Sequence, residues 1–281
     1  MEWLTNYKIP IGKFAKNGVD WLIDNAGFVF DWFSTVLEAV IGALLWCLQT
    51  PHPLIVVILT AALAWWIKRQ WLFPAFVICV LLLIINQGYW EETTETLSLV
   101  IASAVVCMVV GVPLGVFAAH HPNVSAFLRP ILDLMQTIPT FVYLIPALIL
   151  FGLGMVPGLI ATVIFALPAP IRLTELGVKS TPQPLIEAGI AFGATPRQLL
   201  WKIELPYALP NIMAGLTQTI MLSLSMVVIA ALVGADGLGV PTLRALNTVN
   251  IAKGFEVGVV IVLIAIVLDR FLRNDEGNQP R

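Results

Sequence analysis

Long apolar runs separated by short polar breaks set the pattern of the chain. A helix that crosses a bilayer needs roughly 20 apolar residues, within a range of about 17–25. Segments 97–119, 131–151, 156–171, 212–233 and 255–272 fit, and 34–48 is a further candidate. Segments 54–67 and 72–85 are shorter, as thin spans, buried helices or a re-entrant pair would be. Trp65, Trp66 and Trp71 bracket Lys68 and Arg69 in the manner of an interfacial belt, which favours spans. The pattern predicts an all-α, polytopic membrane helix bundle with about eight transmembrane helices.

A different periodicity precedes the first span. Ala15, Val19, Leu22, Ala26, Val29 and Phe33 share one helical face, while Lys16, Asp20, Asp24 and Asp31 fall elsewhere. This predicts an amphipathic helix lying in the membrane surface, the alternative being a soluble helix packed on the loops. The chain then divides into an interfacial segment 1–33, N-terminal spans 34–90, a core 91–273 holding the remaining spans, and a mobile polar tail 274–281.

Composition agrees with the spans. Hydrophobic residues make up 59% of the 281 positions and charged residues 11%. Soluble domains carry about 25% charged residues, so an ordinary soluble enzyme, a disordered chain and a secreted disulfide scaffold are all excluded. Of the 15 lysines and arginines, all but Arg244 and Lys253 fall on one side when the N-terminus is put inside. The positive-inside rule then places both termini in the cytoplasm of a multi-pass protein. No basic patch suits nucleic acid. Cys47, Cys79 and Cys107 lie in apolar runs and read as reduced core residues. His52, His120 and His121 form no metal-ligand spacing, so no metal is expected. The first ten residues lack an apolar signal core.

One loop, 172–209 on the cytoplasmic side, has its own grammar. Thr181 can cap a helix opening with Pro182, and Pro184 still falls in the first turn. Gly193 suits a left-handed end. Thr195, Pro196 and Gln198 form a capping box for a second helix, which is expected to stop before Pro206. The product is a stiff helix–glycine–helix elbow exposing Leu185, Ala188, Gly189, Ala191 and Phe192.

Glu187-Ala188-Gly189, then Gly193, Ile203 and Leu205-Pro206, resembles the EAA loop of permease subunits of ABC-type importers. The spacing matches throughout, with Gly189 in place of the family's second alanine. From about 111 to 273 the chain is similar to permeases of the glycine betaine/proline betaine/choline group. Arg129-Pro130, Asp133-Leu134-Met135-Gln136-Thr137, Phe165-Ala166-Leu167-Pro168 and Ile171-Arg172-Leu173-Thr174 carry that likeness.

The resemblance implies a type I ABC importer permease fold in the inner membrane of a bacterium. It implies a homodimer, two ATPase subunits docked on the elbows, and an extracytoplasmic solute-binding protein. No G-x-x-x-x-G-K-[ST] phosphate loop is present, so ATP and Mg are expected on the partner ATPase and no cofactor on this chain. With the chain closing at Arg281, the receptor is also expected to be separate.

On this reading Ala188, Gly189 and Gly193 allow close docking and Glu187 anchors it, while Ile203 and Pro206 fix the second helix to the next span. Phe141 and Tyr143, in a span holding Pro139 and Pro146, are candidates for a pathway that takes a quaternary amine through aromatic faces. Plain packing is the alternative for both. Asp236, Gly237 and Gly239 belong to a loop that reads equally as an outer gate or a plain turn. Glu38, Asp133, Asp269 and Arg270 read as interfacial or paired charges. The rival reading is a secondary transporter of a small solute, which calls for carboxylates at mid-membrane and two similar halves.

Overall fold

A computed structural model describes residues 10–272, apart from the side chains of Ile11, Phe14 and Ala15. The expected tail 274–281, and Lys8, Arg273 and Arg281 from the charge argument, lie outside the described residues. The described chain is helical throughout, with no strand.

The first element is one helix, α1 (Ile11–Gln49). The amphipathic piece runs without a break into the segment after 33. No proline or glycine falls there, and the Thr35 hydroxyl donates to the Asp31 carbonyl at 2.9 Å within the continuing helix. The C-terminal half of α1 packs on the body through Leu37 and Ile41, which meet Ala102, Val156 and Leu159. Its N-terminal half leaves Trp21, Phe28 and Trp32 exposed.

α2 (Pro53–Lys68) and α3 (Leu72–Gln87) form a hairpin. Each has 16 residues, about 24 Å of helix, which falls short of a full crossing. Five described helices are long and apolar enough to span, or six if a bent pair counts as one, rather than eight. Even so, α3 runs antiparallel along α13 (Ile251–Leu272). Tyr89 meets Glu256 at one end, and Phe73 meets Phe271 edge-on at 5.0 Å at the other.

α4 (Trp90–His120) is the central strut. Glu91 and Glu92 in its first turn face the positive end of the helix dipole. Val100 and Ala104 join Val77, Ile84, Val257 and Val260 in the main core. The expected span 131–151 is two helices, α5 (Pro122–Thr137) and α6 (Thr140–Phe151), bent by 94°. Pro139 forces Ile138 into extended backbone (ψ 130°), which ends α5 and lays it crosswise.

α7 (Met155–Ala166) continues almost without pause into α8 (Pro168–Lys179), a 25-residue stretch. Small residues let α4, α8 and the long helix after the elbow approach closely. A β-carbon on Gly115 would lie 2.6 Å from the Ile171 carbonyl and 2.7 Å from Thr174. Such contacts stand in for hydrophobic drive where lipid is as apolar as leucine.

One further expectation changes here. Cys47 and Cys79 are exposed on the outer faces of α1 and α3, and Cys107 alone of the three is in the core. Asp133 is a paired charge, as expected, with Arg172 as its partner at 2.6 Å.

Candidate functional site

The elbow lies between α8 and the last long spans. Its first arm is α9 (Gln183–Ala191), opened by Pro182 rather than capped by Thr181. The Thr181 hydroxyl is buried with no hydrogen-bond partner among the described residues. Gly193 ends the arm at φ +78°, the left-handed conformation expected of it, and the Ala194 N–H reaches back to the Gly189 carbonyl at 3.0 Å. The second arm starts with α10 (Pro196–Leu199) and its capping box. There the Gln198 N–H donates to the Thr195 hydroxyl, and the Thr195 N–H donates to the Gln198 side chain.

The second arm does not stop before Pro206. A π-helical turn, Leu200–Glu204, leads into α11 (Leu205–Ala230), and Pro196–Val233 forms one 38-residue stretch. The Leu205 N–H bonds to the Leu200 carbonyl, five residues back. This wide turn shifts the carbonyls that a proline ring would strike, so Pro206 is absorbed instead of breaking the helix. The elbow is therefore fused to a span with no loop between them.

The site residues divide by direction. Glu187 and Ala188 are exposed, and Glu187 accepts a 3.3 Å bond from Gln183. Phe192 is 92% exposed at the tip, and Trp201 is exposed on the second arm. Gly189 points the other way. A β-carbon there would lie 2.6 Å from Leu199 and 2.7 Å from Ile203, so Gly189 and Ile203 close the elbow on itself. Around Gly193 there is open space, and its requirement is conformational alone.

Sequence reasoning missed the anchor at the root. Glu204 is nearly buried, and its carboxylate lies 2.9 Å from His120 Nε2 at the end of α4. The only sequence signal was a carboxylate set between the fixed Ile203 and Leu205-Pro206 positions.

At the opposite end, α11 closes with a 3-10 turn (Ala231–Val233), and α12 (Gly239–Asn247) follows. The connecting loop is locked. The Leu238 N–H donates to the Thr96 hydroxyl at 2.8 Å. Gly237 (φ +120°) packs on Thr96, and Gly239 lies against the Val227 carbonyl, while Asp236 is exposed. Phe141 and Tyr143 do not come together: Phe141 is 56% exposed, and Tyr143 packs beside Leu144 and Met226 with its hydroxyl buried.

The fold is a bundle of apolar helices, five or six of them among the described residues long and apolar enough to cross a membrane, with an exposed elbow fused to one of them. Residues 111–274 match the family described as binding-protein-dependent transport system inner membrane component, and the chain belongs to that family. It is a multi-pass inner-membrane permease of an ABC importer, with a separate ATPase subunit and a substrate-binding partner.

Among its relatives, the glycine betaine transport system permease protein OpuAB of Bacillus subtilis (strain 168) is 45% identical over 267 residues, 95% of this chain and 94% of that one. The glycine betaine/proline betaine permease ProW of Escherichia coli (strain K12) is 42% identical over 263 residues, covering 93% of this chain and 74% of that one. Among solved structures, an inward-facing MetNI methionine ABC transporter chain aligns with a TM-score of 0.59 at 25% identity. That alignment covers 66% of this chain and 94% of the other.

Proposed function

We propose that the chain carries a quaternary amine of the glycine betaine class across the inner membrane, as one half of a two-fold homodimer. Two ATPase subunits bind ATP and Mg, one under each elbow, and a solute-binding protein delivers the solute from outside. The termini and the elbow face the cytoplasm. The names of relatives at 42–45% identity support the solute class.

The observation that carries the mechanism is the unbroken Pro196–Val233 stretch with Phe192 exposed at the tip of the preceding arm. Exposed Glu187, Ala188 and Phe192 meet the ATPase cleft, and the glycine turn at 193 holds the two arms at a fixed angle. Gly189 and Ile203 keep the arms in contact, and Pro206 rides in the wide turn. When ATP closes the ATPases the elbows approach each other. Each elbow turns α11 directly, because no flexible loop absorbs the motion, and the bundles rock open outward.

Phe141, on the exposed face of α6, lines the pathway and offers its ring to the cationic solute. Tyr143 packs behind it. The loop of Asp236, Gly237 and Gly239 forms the outer gate, held against α4 by the Leu238 N–H on the Thr96 hydroxyl.

The test is uptake of labelled glycine betaine and choline into liposomes holding the chain, its ATPase and its receptor. ATP-dependent uptake of either solute is expected. Uptake that persists without the ATPase would mean a secondary transporter.

A further inference from the structure

We infer that the cavity between α5 and α8 is a phosphate site, occupied in the membrane by the headgroup of an anionic phospholipid. The cavity measures about 340 Å³. Arg129 and Asp133 line it from α5, and Arg172, Glu175 and Lys179 line it from α8.

The charges inside do not cancel. Asp133 is taken by Arg172 at 2.6 Å, and Glu175 by Lys179 at 2.5 Å and by the Ser125 hydroxyl at 2.6 Å. Three cations thus face two carboxylates that are already bonded. Arg129 makes no hydrogen bond and no ion pair within 4 Å among the described residues, and it acts on Glu175 only through its charge. A guanidinium presents its N–H groups as a planar fork, and that fork matches two phosphate oxygens at once.

Placement decides where the phosphate comes from. The 94° bend lays α5 across the axis of α6. Phe127, Ile131, Leu134 and Ile138 form an exposed apolar stripe along α5, opposite buried Ser125 and Leu132. A crosswise helix with such a stripe lies in the membrane interface, its apolar side on the acyl chains and its charges at headgroup depth. Leu176, 57% exposed, extends the apolar surface beside the cavity. A basic pocket between helices at this depth takes acidic headgroups, and the flanking apolar surface suits chains that free phosphate lacks. A lipid held there would brace α5 against α8, one short turn before the elbow begins.

The full chain in detergent, examined by native mass spectrometry with added phosphatidylglycerol or phosphatidylcholine, tests this. Wild type should retain one phosphatidylglycerol about tenfold more strongly than phosphatidylcholine, and Arg129→Gln should remove that preference. Arg244→Gln, at the opposite end of the bundle, should leave it intact. Arg129→Lys keeps the charge without the fork and should retain an intermediate preference, which preserves the test if Arg129→Gln fails to fold. Equal retention of the two lipids, or an unchanged preference in both Arg129 variants, would overturn the site. Displacement of the lipid by millimolar inorganic phosphate would overturn the lipid as its occupant.

Discussion

His120 and Glu204 join the end of α4 to the root of the elbow. His120 Nε2 lies 2.9 Å from the Glu204 carboxylate, and Nδ1 lies 2.9 Å from the Val116 carbonyl. Both ring nitrogens thus face an oxygen, one on the side chain of Glu204 and one on the backbone of its own helix. The wide turn that absorbs Pro206 is therefore tied to the central strut as well as to α11.

Glu204→Gln tests that tie. The pair is half open to solvent at His120, so global stability should change by less than about 1 kcal/mol. Coupling should suffer more. Stimulation of the ATPase by loaded receptor should fall at least about threefold in proteoliposomes, with membrane insertion unchanged. Wild-type stimulation in the variant would show that the tie carries no motion.

Gly193 makes a purely conformational demand. Its φ of +78° costs an L-residue about 1–2 kcal/mol, while the space around it is open. Gly193→Val should therefore strain the elbow without any clash and lower coupled transport, whereas Gly193→Asn should be milder because asparagine tolerates this conformation. Uptake assays on the two variants, with insertion checked by protease accessibility, give the comparison.

Gly189 makes a steric demand instead. Gly189→Ala meets only the tips of Leu199 and Ile203, which can rotate away, so a cost below about 1 kcal/mol and near-normal transport are expected. Gly189→Leu should splay the arms and abolish coupling. A thermal melt paired with ATPase stimulation separates the two effects.

The sequence announced the elbow better than the spans. Thr195 and Gln198 declare a capping box locally, and Gly193 declares a left-handed end, because both signals depend on neighbours three or fewer residues away. The inward aim of Gly189 was not legible, since it depends on how two arms fold onto each other. Apolar runs located membrane helices but not their continuity. A run across Ile138-Pro139 looked like one span, although that proline turns it by 94°. Pro206 looked like a stop, but a wide turn, which leaves no local signature, carried the helix past it. The tie from His120 to Glu204 joins positions 84 residues apart, and no local pattern reports such a pair.

Tight helix crossings should be the most sensitive part of the bundle. In Gly115→Ala the new methyl group would press on the Ile171 backbone carbonyl, which cannot rotate away. A loss of about 1–3 kcal/mol is expected, seen as a lower melting temperature in detergent. Gly258→Ala, on α13 with open space around it, should melt like wild type.

In the proposed mechanism the tip of the elbow carries the contact with the ATPase. A photo-crosslinking amino acid at position 192, in the chain assembled with its ATPase and receptor, tests it most directly. The same group at Leu246, exposed at the opposite end of the bundle, serves as the comparison. Position 192 should yield a covalent product with the ATPase, and position 246 should not. A product with the receptor from position 192, or the ATPase captured from 246 instead, would rule out the elbow tip as the docking point.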